Sequence, residues 1–589
     1  MSAFLLGQWL TLRSGTAAAK IVGTRPGKRD PSSAKSLSQA RNWLKKCKNC
    51  HNCLSLEPNI QYPSRLLCLN TEKGVVRLTE LRDNMSPSSY CALSYCWGGE
   101  QVFKTTTSNI QSYKRRMSIE ALPKTIQDAI TIAKAMNFQF LWVDSLCIVQ
   151  DDRTDMAHEL TKMVDIYAGA GLTIVAATAS SCHEGFLGRP EWEKPYWSLA
   201  FSLPFRCFNG QLDDIILRKL DDTIEETCPL HQRGWTFQEC VVSPRLLIYG
   251  ATQMMWCCWA EIMSESCNGS EDFHWLRHEI VWPRRYLRPS SAGRTPLPDN
   301  SLMQTWNRLV EQYTTRRLTK LTDTLPAFSA IAQRFGQARH GDLINIKGSE
   351  QYLAGLWRDD FPLCLLWKNI SSGTRRGSIP QPLPSWSWIS SPDCRISWLS
   401  FQLNDYIPSA KLLNAFVELD SPQAPYGSVC DGQVTLMGRL KLISIRMNSL
   451  LSRRASIEIE AHPSMVDHVD LDFNFDDHRE LPPSWPGCCA WFLEVGRRKD
   501  IAPNTNPTFT VAGLILERCN SAEHFGRKVG TVLCVDAGKD LPVCRRLGTF
   551  KFEIPKVGDQ DTPVEERISW MHRLRTFIDT WEERSVILI

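Results

Sequence analysis

Between residues 90 and 250 the hydrophobic pattern switches repeatedly from strand-like to helix-like. Continuous apolar runs, which are typical of strands covered on both faces, occur in YCALSYCW (90–97), FQFLWV (138–143) and LTIVAAT (172–178). Between the first two runs, LPKTIQDAITIAKAM repeats apolar residues every three or four positions, as a helix packed on a sheet does. Asn137 follows it and suits the left-handed turn that ends a helix. This alternation predicts an α/β layer built on a parallel sheet with flanking helices.

Shorter patterns extend this layer on both sides. RLLCLN and VVRLTE predict two strands joined by a turn near Lys73 and Gly74. RGWTFQECVV predicts a helix that ends at Ser243, before Pro244. RLLIYG and QMMWCCW then predict a hairpin.

The rest of the chain divides by composition. Residues 1–40 form a basic, Ser-rich lead that we expect to be flexible, and 41–89 lead into the α/β domain at 90–250. In residues 251–300 we expect a hairpin followed by a surface loop, because the later part of this segment is rich in Pro, Ser, Gly and Arg. Residues 301–378 are helical in pattern, including WNRLVEQYTTR, LPAFSAIAQRF and YLAGLWRDDF. From 379 to 589, short β-type runs punctuated by Gly and Pro predict a mostly β C-terminal domain.

Composition narrows the class of protein. Hydrophobic residues make up 43% and charged residues 22% of the 589 residues, as in an ordinary globular chain. A net charge of only +5 argues against a nucleic-acid partner. The 22 cysteines are spread along a chain without a convincing signal peptide, so we expect reduced thiols and a cytoplasmic location. The basic N-terminal segment leaves mitochondrial targeting open, and no apolar run approaches the ~20 residues that span a membrane.

One acidic residue falls on the apolar side of a predicted helix. If 155–167 forms a single helix, its apolar arc contains Met156, Leu160, Met163, Val164, Ile166 and Tyr167. The opposite, solvated face contains Asp155, His158, Lys162 and Asp165. Glu159 falls inside the apolar arc. A buried carboxylate must be paired, hydrogen-bonded or used in chemistry, so Glu159 is either a candidate catalytic residue or half of a salt bridge to an Arg such as Arg233.

Other candidate site residues collect where the strands end. Asp144 and Ser145 follow FQFLWV, at the edge of the sheet where ligands bind in α/β folds. Trp97 is placed to stack on a flat base, whereas core packing explains Trp142 better. Gly98, followed by another glycine, would let the backbone approach a phosphate.

Two places in the sequence offer cysteine thiols that could take part in chemistry. Cys147 lies just past a strand end, but a thiol nucleophile needs a base, and the sequence places no His beside it. WLKKCKNCHNC concentrates Cys47, Cys50, His51 and Cys53, and C-x-x-C pairs chelate zinc in many proteins. No second pair follows at the usual interval, and four ligands crowded into so short a segment strain a tetrahedron. We therefore predict no metal site and no cofactor.

Several blocks of this sequence resemble the fungal heterokaryon-incompatibility (HET) domain in order and spacing. They are YCALSYCWG, LPKTIQDAITIAKAMNFQFLWVDSLCIVQDD, HELTKMVDIYAGAGLTIVAAT and RGWTFQE. The WVDSLCIVQDD and RGWTFQE blocks are distinctive, since each fixes several Trp, Asp, Cys and Gln positions at once. The flanks, including YLAGLWRDD and LPSWSWIS, are similar to the extended architecture of proteins that carry this domain. The departures are small: Cys91 and Cys96 stand at variable positions, and Phe237 stands where Leu is commoner.

The resemblance implies a role in vegetative incompatibility, in which fusion of genetically different hyphae triggers cell death. The HET domain is thought to be a distant relative of the Toll/interleukin-1 receptor (TIR) domain, which implies a TIR-like parallel sheet with flanking helices. Some TIR-type domains cleave NAD with a Glu on the helix after a central strand. By that analogy Glu159 would be catalytic, and Trp97, Gly98, Asp144 and Ser145 would bind NAD as a substrate. The alternative is a non-catalytic module that signals by self-association or by binding another incompatibility protein.

Overall fold

The computed structural model describes most of the chain. The described residues are 8–11, 30–51, 53, 61–81, 90–187, 200–207, 210–219, 228–251, 253–265, 287, 299–341, 350–371, 383–398, 405–444, 470–471, 474–475, 489–498, 510–518, 542–553, 576 and 578–589. They form two compact units, Met1–Thr295 and Pro296–Ile589. Among the described residues, no helix is both long and apolar enough to cross a membrane.

The first unit is built on a mixed sheet of nine strands. Its strands in chain order are β2 (Arg65–Cys68), β3 (Val75–Glu80), β4 (Tyr90–Ser94), β5 (Met117–Ser118), β6 (Phe140–Trp142), β7 (Leu172–Val175), β10 (Arg245–Tyr249), β11 (Met254–Cys258) and β12 (Ile262–Ser264). Their order across the sheet is β12-β11-β10-β7-β4-β6-β2-β3-β5. A separate sheet of three strands contains β1 (Gln8–Thr11), β8 (Ala200–Arg206) and β9 (Leu212–Lys219), in the order β1-β9-β8.

The prediction of a parallel sheet is correct only for its centre. Strands β10, β7, β4 and β6 run parallel to one another. On either side, β2–β3–β5 and β11–β12 pair antiparallel. The physical reason is connection length, because short turns join only antiparallel neighbours, whereas parallel strands need a crossover. The predicted turn near Lys73 is confirmed, with Gly74 at a φ of +79°.

Helices flank this sheet, as the sequence predicts. They are α1 (Ala34–Cys50), α2 (Ile110–Arg115), α3 (Lys124–Ala135), α4 (Asp144–Cys147), α5 (Arg153–Thr161), α6 (Met163–Gly169) and α7 (Gly234–Val242). Helix α3 buries the residues of its predicted apolar face, and Asn137 after it has a φ of +63°. Helix α1 begins at Ala34, inside the segment expected to be flexible, because the hydroxyl of Ser33 caps it.

The single helix expected over 155–167 is broken. Lys162 ends α5 and begins α6 as a turn residue with φ −89° and ψ −4°, so the residues before and after it do not follow one regular helix. As a result Leu160 is 37% exposed although it was expected inside, and Lys162 is buried although it was expected in solvent. The burial of Glu159 is confirmed, at 0% exposure.

The second unit combines a small helical part with a β barrel. Its helices are α8 (Asp299–Tyr313) and α9 (Ser329–His340), and two short hairpins pair β13 (Tyr352–Leu353) with β14 (Leu356–Trp357) and β15 (Lys368–Asn369) with β16 (Ile396–Ser397). The remaining strands are β17 (Tyr406–Pro408), β18 (Lys411–Leu419), β19 (Val429–Ser444), β20 (Asp470–Leu471), β21 (Asn474–Phe475), β22 (Cys489–Arg498), β23 (Thr510–Arg518), β24 (Val543–Glu553) and β25 (Glu582–Leu588). Because β22 pairs with both β23 and β19, the strands β22-β23-β24-β25-β19 close into a ring.

The mostly β C-terminal domain is thus confirmed, but one predicted helix is not. YLAGLWRDDF forms the β13–β14 hairpin, because Ala354 and Gly355 both adopt positive φ and reverse the chain there. Most of the surface loop predicted within 251–300 lies outside the described residues. The high Trp content is explained by packing, since Trp306, Trp357 and Trp388 are fully buried in one aromatic core.

A polar cluster at the carboxyl end of the parallel strands

The four parallel strands deliver their following residues to one edge of the sheet. From β4 the chain crosses by α3 to β6 on one side, whereas from β7 it continues to β10 on the other side. The order of strands therefore reverses between β4 and β7, which is where α/β sheets bind ligands. The segments that meet at this edge follow β4 (Tyr95 to Gly98), β6 (Val143 to Ser145) and β7 (Ala176 to Cys182).

Asp144 is the centre of this edge. The Trp97 indole N–H donates to its Oδ2 at 2.9 Å, and the backbone N–H of Ser145 donates to its Oδ1 at 2.6 Å. The Tyr95 hydroxyl donates to the Ser145 hydroxyl at 2.9 Å. Trp97 and Asp144 are half-buried and Ser145 is fully buried. The structure therefore brings three of the predicted site residues, Trp97, Asp144 and Ser145, into direct contact.

A second carboxylate lies behind Asp144. Glu239 projects from α7, is 7% exposed, and accepts a hydrogen bond from the Ser94 hydroxyl at 2.6 Å. The pKa of Glu239 is raised to about 7, chiefly by burial and also by the charge of Asp144, while the Ser94 hydrogen bond and the charge of Arg233 oppose the rise.

Arg233 balances these acids electrostatically. Its guanidinium donates to the backbone carbonyl of Tyr95 and lies half-buried at the start of α7. Burial raises the pKa of Asp144, and the positive charge of Arg233 and the Ser145 N–H act against that rise. Two carboxyl groups, one guanidinium and several hydroxyls thus share one edge of the sheet.

Gly98 serves the protein's own packing in this structure. Its φ is +80°, and a Cβ atom built on it would lie 2.1 Å from the Cβ of Ser181 and 2.5 Å from the Cα of Ser181. The backbone N–H of Cys182 donates to the Trp97 carbonyl at 3.2 Å. The segments after β4 and β7 are therefore in direct contact at Gly98.

The sequence comparison identifies this part of the chain. The family model described as "Heterokaryon incompatibility protein (HET)" matches residues 90–239. This chain contains a HET domain. The matched residues run from the first residue of β4 to Glu239, so they contain the whole polar cluster. The domain implies involvement in heterokaryon incompatibility. Neither the curated proteins nor the solved structures gave a match to this chain.

Within the HET domain, Glu159 lies apart from Trp97 and Asp144. One of its oxygens accepts from the Ser64 hydroxyl at 2.6 Å and from the Lys162 ammonium at 3.3 Å. The Ser64 N–H and the exposed His158 ring are also close to the carboxylate. Among the described residues, Glu159 forms its ion pair with Lys162 and also lies 3.6 Å from the His158 ring. The sequence had suggested Arg233 as its partner, and that prediction is wrong.

Two other residues of the HET domain considered for chemistry are buried. Cys147 is 0% exposed, and burial raises the pKa of its thiol to about 12, so it is neutral and weakly nucleophilic at pH 7. Trp142 is also 0% exposed and packs edge-on against Tyr167 with ring centroids 5.4 Å apart, as a core residue does. Glu239 is a member of this cluster that the sequence did not predict. The available signal was an acid inside the otherwise apolar helix GWTFQECVV.

Proposed function

We propose that this chain is an incompatibility effector that promotes cell death, and that its HET domain acts by cleaving the N-glycosidic bond of NAD. The observation that supports this proposal is the fixed, half-buried carboxylate of Asp144 beside the Trp97 indole, at the switch point of the sheet. NAD is proposed because of the implied kinship with TIR domains, which is an argument from the fold and not from the site.

The proposed reaction is a hydrolysis at ribose C1′. The C1′–N bond to nicotinamide breaks and its electron pair neutralises the pyridinium nitrogen. The ribose passes through an oxocarbenium-like state, which a nearby carboxylate stabilises. A water oxygen then bonds to C1′ and its proton leaves to solvent, which gives nicotinamide and ADP-ribose.

Asp144 is better placed than Glu159 for that role. Hydrogen bonds from Trp97 and from the Ser145 backbone hold the Asp144 carboxylate in place at the end of β6. Glu159 is fully buried and paired with Lys162, whereas Asp144 is half-buried. In this proposal Asp144 is the working carboxylate and Glu159 is structural.

The test compares matched variants of the full chain in purified form and in a fungal host. We expect Asp144→Asn to reduce NAD cleavage at least 100-fold, because the loss of a single charge-stabilising group costs about that much. Asp151→Asn is the matched control, since Asp151 is an exposed carboxylate of the same segment that hydrogen-bonds Thr107. Glu159→Gln should retain cleavage in whatever fraction of the chain stays folded. Full activity of Asp144→Asn, or loss of activity in folded Glu159→Gln, would refute this assignment.

A non-catalytic signalling module is the second candidate. It is favoured by the hydrogen bonds within the polar cluster, because the carboxylates of Asp144 and Glu239 both accept hydrogen bonds from the chain itself. On this reading the cluster stabilises the domain, and self-association or partner binding carries the signal. If host cells die while their NAD level stays unchanged, and still die when they express Asp144→Asn, the signalling module is supported and NAD cleavage is refuted.

A further inference from the structure

Four sulfur and nitrogen ligands meet at one point of the first unit. Cys47 near the end of α1, His51 just after it, Cys53 and Cys258 at the end of β11 each present one ligand atom, and these atoms all lie within 4.8 Å of one another. The Cys258 Sγ atom is 3.5 Å from the His51 Nδ1 atom. The three cysteines are buried and the histidine is half-buried.

The sequence argued against a metal site because four ligands crowded into one short segment would strain a tetrahedron, but the fourth ligand in the structure comes from elsewhere in the chain. Cys258 comes from the edge hairpin, 207 residues beyond His51. Cys50, which lies in the same short segment, points outward, is exposed and takes no part in the cluster. The N-terminal segment therefore supplies only three ligands, and the tetrahedron is completed from the sheet.

The donor set and spacing fit zinc. Zinc binds thiolates at about 2.3 Å and imidazole at about 2.0 Å, so tetrahedral ligands lie roughly 3.5–3.8 Å apart. The 3.5 Å separation of Cys258 and His51 falls in that range. Three thiolates and an imidazole form one of the sets that close a structural zinc site, and soft sulfur ligands in a tetrahedron favour zinc over harder cations.

The surrounding residues support the ligands as they do in zinc proteins. The other ring nitrogen of His51, Nε2, lies 3.6 Å from the Glu261 carboxylate, an arrangement that fixes which nitrogen faces a metal. The Arg245 guanidinium donates to the Cys47 sulfur at 3.1 Å. Zinc with three thiolates carries one net negative charge, and Arg245, which is 3% exposed, supplies the compensating positive charge.

We propose that Cys47, His51, Cys53 and Cys258 bind one zinc ion, which fastens helix α1 and the segment after it to strand β11, next to the edge strand β12. The site has four protein ligands and no open position, so its role is structural. It lies outside the matched residues 90–239, and it is independent of the proposed NAD cleavage.

The direct test is the metal content of the full chain purified without chelators. We expect about one zinc per chain and a sharp loss in Cys258→Ser. Cys50→Ser is the matched control, because it removes a thiol from the same segment but outside the cluster, and it should keep its zinc. Cobalt substituted for zinc should show the visible absorption of a tetrahedral thiolate site.

A second pair of variants covers the case in which Cys258→Ser fails to fold. Glu261→Gln leaves all four ligands in place and should weaken zinc binding about 10–100-fold, as loss of such a supporting carboxylate does. Lys46→Gln removes the other partner of Glu261, a 2.7 Å ion pair, and should leave zinc affinity within about twofold. A folded, metal-free wild-type chain would overturn the proposal, as would a disulfide within the cluster or zinc retained by folded Cys258→Ser.

Discussion

Glu239→Gln is expected to remove the pH dependence that Glu239 imposes on the stability of the HET domain. The glutamine amide keeps an oxygen that accepts the Ser94 hydrogen bond. It removes the buried, titrating proton. The perturbation therefore isolates the cost of ionising a carboxyl group inside this cluster.

The magnitude follows from the pKa of Glu239, which is about 7 in the folded chain against an ordinary 4.5. Each tenfold difference in proton affinity is worth about 1.4 kcal/mol, so the rise corresponds to about 3 kcal/mol. Because the folded state holds the proton more tightly, this stabilisation is complete below pH 4.5 and is lost as the pH rises through 7. Relative to wild type, Glu239→Gln should therefore gain about 3 kcal/mol between pH 5 and pH 9.

Amide hydrogen exchange in the full chain measures this effect locally. Peptides from β4 and α7 report the free energy of opening around Glu239, after correction for the pH dependence of intrinsic exchange. Glu100→Gln is the control, since the Glu100 side chain is 90% exposed and should give no pH-dependent difference. A difference between wild type and Glu239→Gln that stays constant from pH 5 to pH 9 would refute the reasoning.

Three further substitutions test other parts of the fold by chemical or thermal unfolding. Lys162→Met leaves the Glu159 carboxylate buried without its cation and should cost about 3–5 kcal/mol, whereas an unchanged stability would show that the pair contributes nothing. Gly98→Ala should cost at least about 2 kcal/mol, because its φ is positive and Ser181 occupies the position of the new methyl group; a wild-type melting temperature would contradict that contact. Asn137→Val should cost about 1–2 kcal/mol while Asn137→Gly stays near neutral, and equal effects of the two would argue against the left-handed turn.

Elements with a strong local signal could be predicted from the sequence. Helix α3 has a regular apolar face, and the hairpins β2–β3 and β10–β11 have clear turns, so local pattern and final structure agree. The break at Lys162 left no such signal, because the apolar spacing across 155–167 is compatible with one unbroken helix. A second helix was predicted wrongly in the other unit, since YLAGLWRDDF has helical spacing but the chain reverses at Gly355.

The candidate site was predictable residue by residue but not as a set. Trp97, Asp144 and Ser145 could be placed at the carboxyl edge, because that edge follows from the parallel strands themselves. Glu239 lies near these residues only because α7 packs against the sheet. That packing is a tertiary contact, which the local sequence does not indicate. Cys258 is the same kind of case, since its partners lie far back in the chain.

The mixed sheet also determines how the HET domain can be cut and transplanted. The matched segment 90–239 holds β4, β6 and β7, but β6 pairs on its far side with β2, and β7 with β10. A chimera that exchanges only this segment would expose two hydrophobic strand edges with unpaired N–H and C=O groups, which invites aggregation. An exchangeable cassette has to extend from residue 8 to residue 265, so that the swapped piece keeps β1 beside β9 and carries its own edge strands.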